Sequence, residues 1–353
     1  MHSLLSKIKK HKEQKLPFVA FSNPKENTVK AYLQLDSELN LNNTFNKKGF
    51  VFAPFDMNAN KSIWFYENDC ELLEIEKTTF QFKNSHTVFR EHELYAQLYH
   101  QKTVAKAIAA IEKGNIYKVI ISRKEIQQVK DIDVFQIFQN IVVTYPKTFC
   151  YCWYHPKVGL WMGASPEALV DINNGNFETM ALAGTQPYNG SENVTWGQKE
   201  QEEQRIVVNS IVEELTDNDI VNTIEVKDTV TQKAGNLLHL KTPILAQING
   251  RNSLKQLIEV LHPTPAVCGL PYKKSKHFIF ENEGYNRSFY TGFLGEVKSA
   301  TEAILFVNLR CMEVFDSLSK VAIYVGGGIT AASKPEAEWF ETVNKSQVMK
   351  RIL

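Results

Sequence analysis

The sequence lacks most of the features that would place a chain in a specialised class. Its five cysteines are an odd number with no CxxC spacing, which argues against a disulfide framework or a thiolate zinc site. No run approaches the roughly 18 apolar residues that a membrane-spanning helix needs. The basic start MHSLLSKIKKHKEQK has no apolar stretch after it and does not read as a secretory signal. An excess of one charge is also missing. Lys+Arg number 40 against 39 Asp+Glu, so no overall field favours nucleic acid or a membrane surface. Nor does any low-complexity tract, internal repeat or Pro/Gly/Ser linker mark a domain boundary. A reducing cytoplasm is the simplest compartment for such a chain.

What is present suits a sizeable core: 353 residues, 43% hydrophobic and 22% charged. Residues 17–100 read as short strands and turns, such as FVAFS, GFVFAPF and SIWFYE. Apolar spacing predicts a helix over 99–112 with Gly114 as its stop, then a strand IYKVIIS at 116–122. FCYCWY and VGLWMGAS form a hairpin, with Cys150 and Cys152 on one packed face. ALVDI and FETMAL form another about Asn174-Gly175. Helices follow at 198–215 and about 253–260. The last third is a meander of SFYTGFLGEV, AILFVNLRCMEVF and KVAIYVGGGI, closed by an acidic helix. Antiparallel pairs outnumber strand–helix–strand crossovers, which favours a mixed α+β sheet assembly over a doubly wound fold.

Two helical segments present carboxylates. Glu338 and Glu341 are three apart and Lys345 lies four further on, so a helix puts all three on one face. Glu200 and Glu203 repeat the spacing. Each segment alone is most simply a solvated face, but together they suggest a hard divalent cation on oxygen ligands, Mg²⁺ where the substrate is anionic. Lys118 sits in a strand apolar on both sides. A buried ammonium is costly, which suits a base, and the plainer alternative is an ion pair. Glu167 follows Ser165-Pro166 where the backbone re-enters a strand. It is either a general acid against apolar walls or an ordinary surface turn residue.

Gly184 and Thr185, directly after FETMAL, allow close ligand approach and supply a hydroxyl. Arg310, read as lying inside the strand ILFVNLRCM, needs an anion, from a substrate carboxylate or a structural partner. Gly326-Gly327-Gly328 offer backbone N–H groups to a second carboxylate, without the spacing of a dinucleotide fingerprint. Of two histidines in suggestive contexts, His262 reads as a rigid turn element and His239 as the better site candidate.

The segments KVIISR, GASPEALV, ALAGT, KEQEEQRIVV, HLKT, LHPTPAVCG, RSFYTGFLGEV, LRCMEV and VGGGITAASKPEAEWFETVNK resemble, in order, those of the chorismate-utilising enzymes. That family includes isochorismate, salicylate, anthranilate and aminodeoxychorismate synthases. The resemblance implies one domain over 1–353, of two stacked, mainly antiparallel sheets flanked by helices. About 1–98 would be its variable part and about 99–353 its motif-bearing part. Chorismate and Mg²⁺ would share a cleft. By motif position Glu203 and Glu341 look like metal ligands, with Glu200 and Glu338 as near neighbours. Arg310, Lys345, Gly184, Gly327 and Gly328 fall where the family binds the substrate's carboxylates, with Thr185 beside them. Tyr290 falls on the enolpyruvyl side.

Lys118 resembles the base that activates water for attack at ring carbon C2, and Glu167 the acid that protonates the departing C4 hydroxyl. His239 joins them as a catalytic candidate. Lysine at 118 with Ala183, where the aminodeoxychorismate branch has lysine, points to hydroxylation. The implied product is isochorismate, for menaquinone or siderophore biosynthesis. Salicylate synthase is the alternative, because Tyr290 and Leu309 also occur in relatives that eliminate pyruvate, and an ammonia-using synthase is more remote. A monomer is expected, with no glutaminase subunit, nucleic-acid or membrane partner. Two positions depart from the family's pattern: Gln186-Pro187-Tyr188 after AGT, and Gln204 where His commonly follows the metal-helix glutamate.

Overall fold

A computed structural model describes residues 2–77, 80–83, 87–89, 94–234 and 237–353. The strands form two ten-stranded sheets with antiparallel pairing. The first sheet runs Gly269–Leu270, Lys118–Lys130, Lys320–Ile329, Cys311–Phe315, Gly159–Ser165, Phe149–His155, Phe18–Ser22, Thr28–Gln34 and Cys70–Glu76. Thr87–Phe89 adds to Lys118–Lys130. The second runs Val221–Val226, Leu237–Ile248, Asn176–Pro187, Ala168–Asn173, Glu302–Val307, Phe293–Ser299, Gly49–Ala53, Ser62–Tyr66 and Asn40–Asn42, with Val230–Ala234 on Leu237–Ile248. N-terminal strands therefore complete both layers.

Alternation along the strands sorts side chains between layers. On Phe149–His155, Tyr151 and Trp153 enter an aromatic layer between the sheets with Phe21, Phe52, Trp161 and Phe289. Cys150 and Cys152 turn the other way, as their spacing predicts, into a core under the helix Val134–Thr144. The helices Gln198–Asp217 and Leu254–Leu261 cover the far face of the second sheet. The five cysteines are free thiols. Among the described residues no helix is long and apolar enough to cross a membrane.

One strand pair belongs to both sheets. Gly159–Ser165 lies in the first and Ala168–Asn173 in the second, with Pro166 and Glu167 between them. Their partners Cys311–Phe315 and Glu302–Val307 change sheets at the same level, so Gly163 pairs with Cys311 and Ala168 with Phe306. Ala164 N donates to Arg310 O at 3.0 Å and Val307 N to Glu167 O at 2.9 Å, which ties the two crossings together. The expected continuous strand through ILFVNLRCM is thus broken. Arg310 stands at the break with φ of 48°, because a pleated strand must turn to leave one layer for another.

Other boundaries moved as well, two of them near the site. The strand expected at 116–122 is Lys118–Lys130, and Tyr117 before it is exposed. The strand expected to end at Leu182 runs through Gly184 and Thr185 to Pro187. Its register shifts between Ala183 and Gln186, and Gly184 has φ of 67°, so the predicted strand end is a bulge.

Candidate active site

The paired crossings open a cavity between the sheets, and most of the sequence-predicted residues meet there. Its wall includes Glu167, Gly184, Thr185, Glu203, His239, Tyr290, Arg310, Gly327, Gly328, Glu341 and Lys345.

Glu167 is 2% exposed, which overturns the surface-turn reading. The short link between two sheets leaves its side chain no route to solvent. Burial pushes its pKa up to about 8, against the opposing charges of Lys118 and Arg310. Among the described residues its Oε1 makes no well-aligned hydrogen bond, although the nearby Thr264 hydroxyl draws the carboxyl down somewhat.

Lys118 is fully buried. It passes beside Gly328, where a Cβ would collide with Glu203 Oε1 and stand 3.0 Å from Lys118 Cε. Its Nζ lies 3.0 Å from Glu203 Oε1, an ion pair not aligned as a hydrogen bond. Burial alone would raise the Glu203 carboxyl, but Lys118, Lys345 and Lys199 together outweigh it and hold that carboxyl below its ordinary value. Glu203 is positioned by its neighbour Gln204. That amide accepts from Ala183 N at 2.9 Å and donates to Ala181 O at 3.0 Å and Thr242 Oγ1 at 2.7 Å, clamping the helix onto the strand.

Arg310 has no carboxylate within salt-bridge reach among the described residues. Its Nη2 donates instead to His239 Nε2 at 2.8 Å. His239 Nδ1 donates to Gly184 O at 3.0 Å, with the Thr185 hydroxyl 3.2 Å away. Both ring nitrogens are therefore engaged. Burial, then the charges of Arg310 and Lys345, push the imidazole well below its usual pKa, so it is neutral.

The strand Lys320–Ile329 outruns its neighbour Cys311–Phe315 after Tyr324. Beyond that point one edge of Gly326–Gly328 faces the cavity rather than a strand, so its backbone groups are available to a ligand. Lys345 Nζ donates to Gly326 O at 3.0 Å and to Glu341 Oε1 at 2.7 Å. A Cβ on Gly327 would stand 3.3 Å from Glu338 Oε2 and 3.4 Å from Glu341 Oε1.

Three carboxylates, Glu203, Glu338 and Glu341, thus converge on Gly327-Gly328, and each faces a lysine: Lys118, Lys199 and Lys345. Burial and the Glu341 charge push the Glu338 carboxyl up, and its Oε2 is buried without a partner. Among the described residues no three acidic, His or Cys side chains are drawn together tightly enough to hold a metal ion. The donor set nonetheless fits a hard cation. It is all oxygen, it contains two mutually repelling carboxylates, and one buried oxygen lacks a partner. Glu200 stands apart. Its Cβ would lie 3.1 Å from a Cβ on Gly184, and its carboxylate turns toward Gly197 at the helix start.

A family model described as chorismate binding enzyme matches residues 51–353. The chain belongs to this family. The salicylate biosynthesis isochorismate synthase of Pseudomonas aeruginosa is 28% identical over 259 residues, 71% of this chain and 53% of that protein. The chain therefore aligns to about half the length of that relative. Isochorismate synthase EntC of Escherichia coli K12 is 26% identical over 313 residues, 84% of this chain and 78% of that protein. The crystal structure of DhbC from Bacillus anthracis superposes with a TM-score of 0.81 at 23% identity, covering 98% of each chain. MenF, the menaquinone-specific isochorismate synthase of Escherichia coli, gives 0.77 at 18% identity, covering 96% of this chain and 88% of that one. At these identities the structures speak to the fold, two stacked antiparallel sheets flanked by helices.

The cavity also holds residues that the sequence did not single out. Thr291 and Tyr324 line it, and Tyr290 stacks on Tyr324 with ring centroids 5.4 Å apart. Lys199 donates to Glu338 Oε1 at 2.7 Å. Only the i,i+4 spacing of Glu341 and Lys345 announced such a pair in advance; the others join distant segments.

Proposed function

We propose that the protein is an isochorismate synthase, converting chorismate to isochorismate. The observation that carries this reading is Glu167, a buried carboxyl with its pKa pushed up to about 8 on the wall of a cavity that Arg310 also lines, with the charge of the fully buried Lys118 acting on it. Ala183, on the same wall, offers no nucleophile.

In this reading a water oxygen bonds to ring C2 while Lys118, acting as its neutral amine once substrate is bound, takes the water's proton. The ring double bonds shift and the C4–O bond breaks. Its hydroxyl leaves as water with the proton of Glu167, so the oxygen gained balances the oxygen lost. Arg310 receives one substrate carboxylate and the Gly326–Gly328 edge the second, and Lys345 assists. His239, neutral with both nitrogens engaged, orients Arg310 rather than carrying a proton. Glu203 and Glu341 would hold Mg²⁺, with Glu338 beside them and Glu200 further off; when bound, the ion supplies counter-charge for the ring carboxylate. The chain is proposed to act alone in the cytoplasm on this small molecule, for menaquinone or siderophore biosynthesis.

The test is incubation with chorismate and Mg²⁺, with and without ammonium, followed by chromatographic identification of the product. Isochorismate independent of ammonium is expected. Salicylate would instead support the pyruvate-eliminating alternative, which Tyr290 and Leu309 in the cavity wall would serve. An aminated product that requires ammonium would overturn the reading.

A further inference from the structure

We propose that Arg287 is a positioning residue for the reaction, its guanidinium fixing separate walls of the cavity against the strand that carries Lys118. The inference deepens the function proposed above, and its kinetic part rests on that reading.

Arg287 is 2% exposed and Glu283, four residues earlier, 5%. A buried guanidinium needs a counter-ion, and Glu283 meets that need with two of the five N–H groups. Nε donates to Glu283 Oε2 at 2.8 Å and Nη2 to Oε1 at 2.5 Å. The other three go elsewhere. Nη1 donates to Val267 O at 2.8 Å and to Thr291 Oγ1 at 3.3 Å, and Nη2 to Ile120 O at 2.9 Å. Every donor of the fork is thus committed. Ile120, Val267 and Thr291 all line the cavity. They come from the strand Lys118–Lys130, the segment ahead of Gly269–Leu270 and the turn ahead of Phe293–Ser299. An ion pair serving only the core could find its remaining acceptors anywhere; here each lies on a different stretch of the cavity wall.

Ile120 is two residues from Lys118 and on the same side of the strand. Glu283 adds a second hold on that strand, because its Oε1 accepts from Ser122 N at 2.7 Å and Ser122 Oγ at 2.8 Å. Thr291 has φ of 61°, a left-handed conformation that a β-branched residue keeps only under restraint. Arg287 restrains it at Oγ1, while its N–H donates to Asn308 O at 2.9 Å. Thr291 Oγ1 donates in turn to Tyr290 O at 2.6 Å. Tyr290 leans on the glycine edge, where a Cβ on Gly326 would stand 3.1 Å from its hydroxyl. Without the guanidinium the base and the opposite wall are free to shift, and a displacement of about 1 Å costs about a hundredfold in rate. Lysine cannot stand in, since its ammonium has three donors and no planar fork.

The experiment compares wild type with R287K, R287M and the double variant E283Q/R287M, by kcat and KM for chorismate with Mg²⁺, denaturant midpoints and hydrogen exchange. R287M strands the Glu283 charge and should lose stability; neutralising that charge in the double variant should recover most of the midpoint. In the double variant and in R287K, kcat should still stay about tenfold or more below wild type, with KM within about threefold. A double variant that regains wild-type kcat along with its midpoint marks a merely structural ion pair and overturns the proposal. So does wild-type kcat in R287K, which keeps the charge and carries the test should the methionine variants not fold. Hydrogen exchange needs no turnover, so it tests the positioning even if the product is not isochorismate. In R287K the amides of 118–122, 265–268 and 288–292 should quicken together, while the helix Gln198–Asp217 keeps its protection. Wild-type protection in any of the three segments sinks the proposal.

Discussion

Glu167 gives the protein a pH dependence opposite in sign to that of an ordinary salt-bridged carboxylate. Its pKa is about 8 when folded against 4.5 ordinarily, so its contribution is full below pH 4.5 and is lost as pH rises through 8. Ionised and buried, it costs on the order of 5 kcal/mol relative to the protonated form. E167Q should therefore raise the melting temperature more at pH 9 than at pH 6, while abolishing turnover. Equal shifts at both pH values, read by calorimetry, would contradict this. Lys118 makes the complementary case. Lys118→Ala should abolish turnover and cost about 3 kcal/mol by leaving Glu203 without its counter-ion. Adding Glu203→Gln should recover most of the stability in denaturant titrations but none of the activity. Lys118 was legible because a charge inside an apolar strand is conspicuous, whereas Glu167 after Ser165-Pro166 read as readily as a surface turn residue and was singled out by its motif. Lys199 was not legible, since a surface-looking lysine gains meaning only from a partner far along the chain.

The helix Pro335–Lys350 brings Glu341 and Lys345 to the cavity wall and Glu338 beside Gly327, so in the proposed function its placement governs substrate binding. It is held to the strand Lys118–Lys130 by Arg123, whose Nε donates to Thr342 Oγ1 at 2.8 Å and whose guanidinium lies 4.3 Å from the Trp339 ring. Arg123 also pairs with Glu125 at 2.8 Å, and Glu125 pairs with Lys350. Arg123→Met should raise KM for chorismate several-fold and lower stability by about 2–4 kcal/mol, because a buried carboxylate loses one of its cations. Hydrogen exchange within 335–350 should quicken; protection unchanged from wild type would count against the clamp. This helix could be read from its charge spacing, as could the Asn174-Gly175 hairpin, where both turn residues have positive φ. The helix Val134–Thr144 was missed because VFQIFQNIVV is dominated by β-branched and aromatic residues that local propensity assigns to strands. Its amphipathic packing over the first sheet prevails over that preference.

Across the whole molecule, buried neutral histidines set the response to acid. Burial lowers His100 and His262 to about 4 from 6.5, so their contribution is full above pH 6.5 and is lost as pH falls through 4. Each is worth on the order of 3 kcal/mol over that interval. Glu203 and Glu125, held below the ordinary carboxylate value, add to the loss further into acid. The melting temperature should fall steadily between pH 6.5 and 4, and a flat profile there would argue that these rings are not buried as neutral groups. The α+β architecture and the gathering of distant motifs were legible at this scale, but the exchange of strands between sheets was not. Alternation of period two continues unbroken through Phe306, Asn308 and Arg310, so nothing local signals that the layer has changed. That exchange bears on assembly. Neither layer owns a complete site, since Glu167, the proposed acid, and Arg310, proposed to bind a carboxylate, both sit on the ribbon that stitches one layer to the other. During refolding, then, turnover cannot return in halves. It should reappear only with the last event that seats the two layers together, which makes enzyme activity a clock for the completion of the fold.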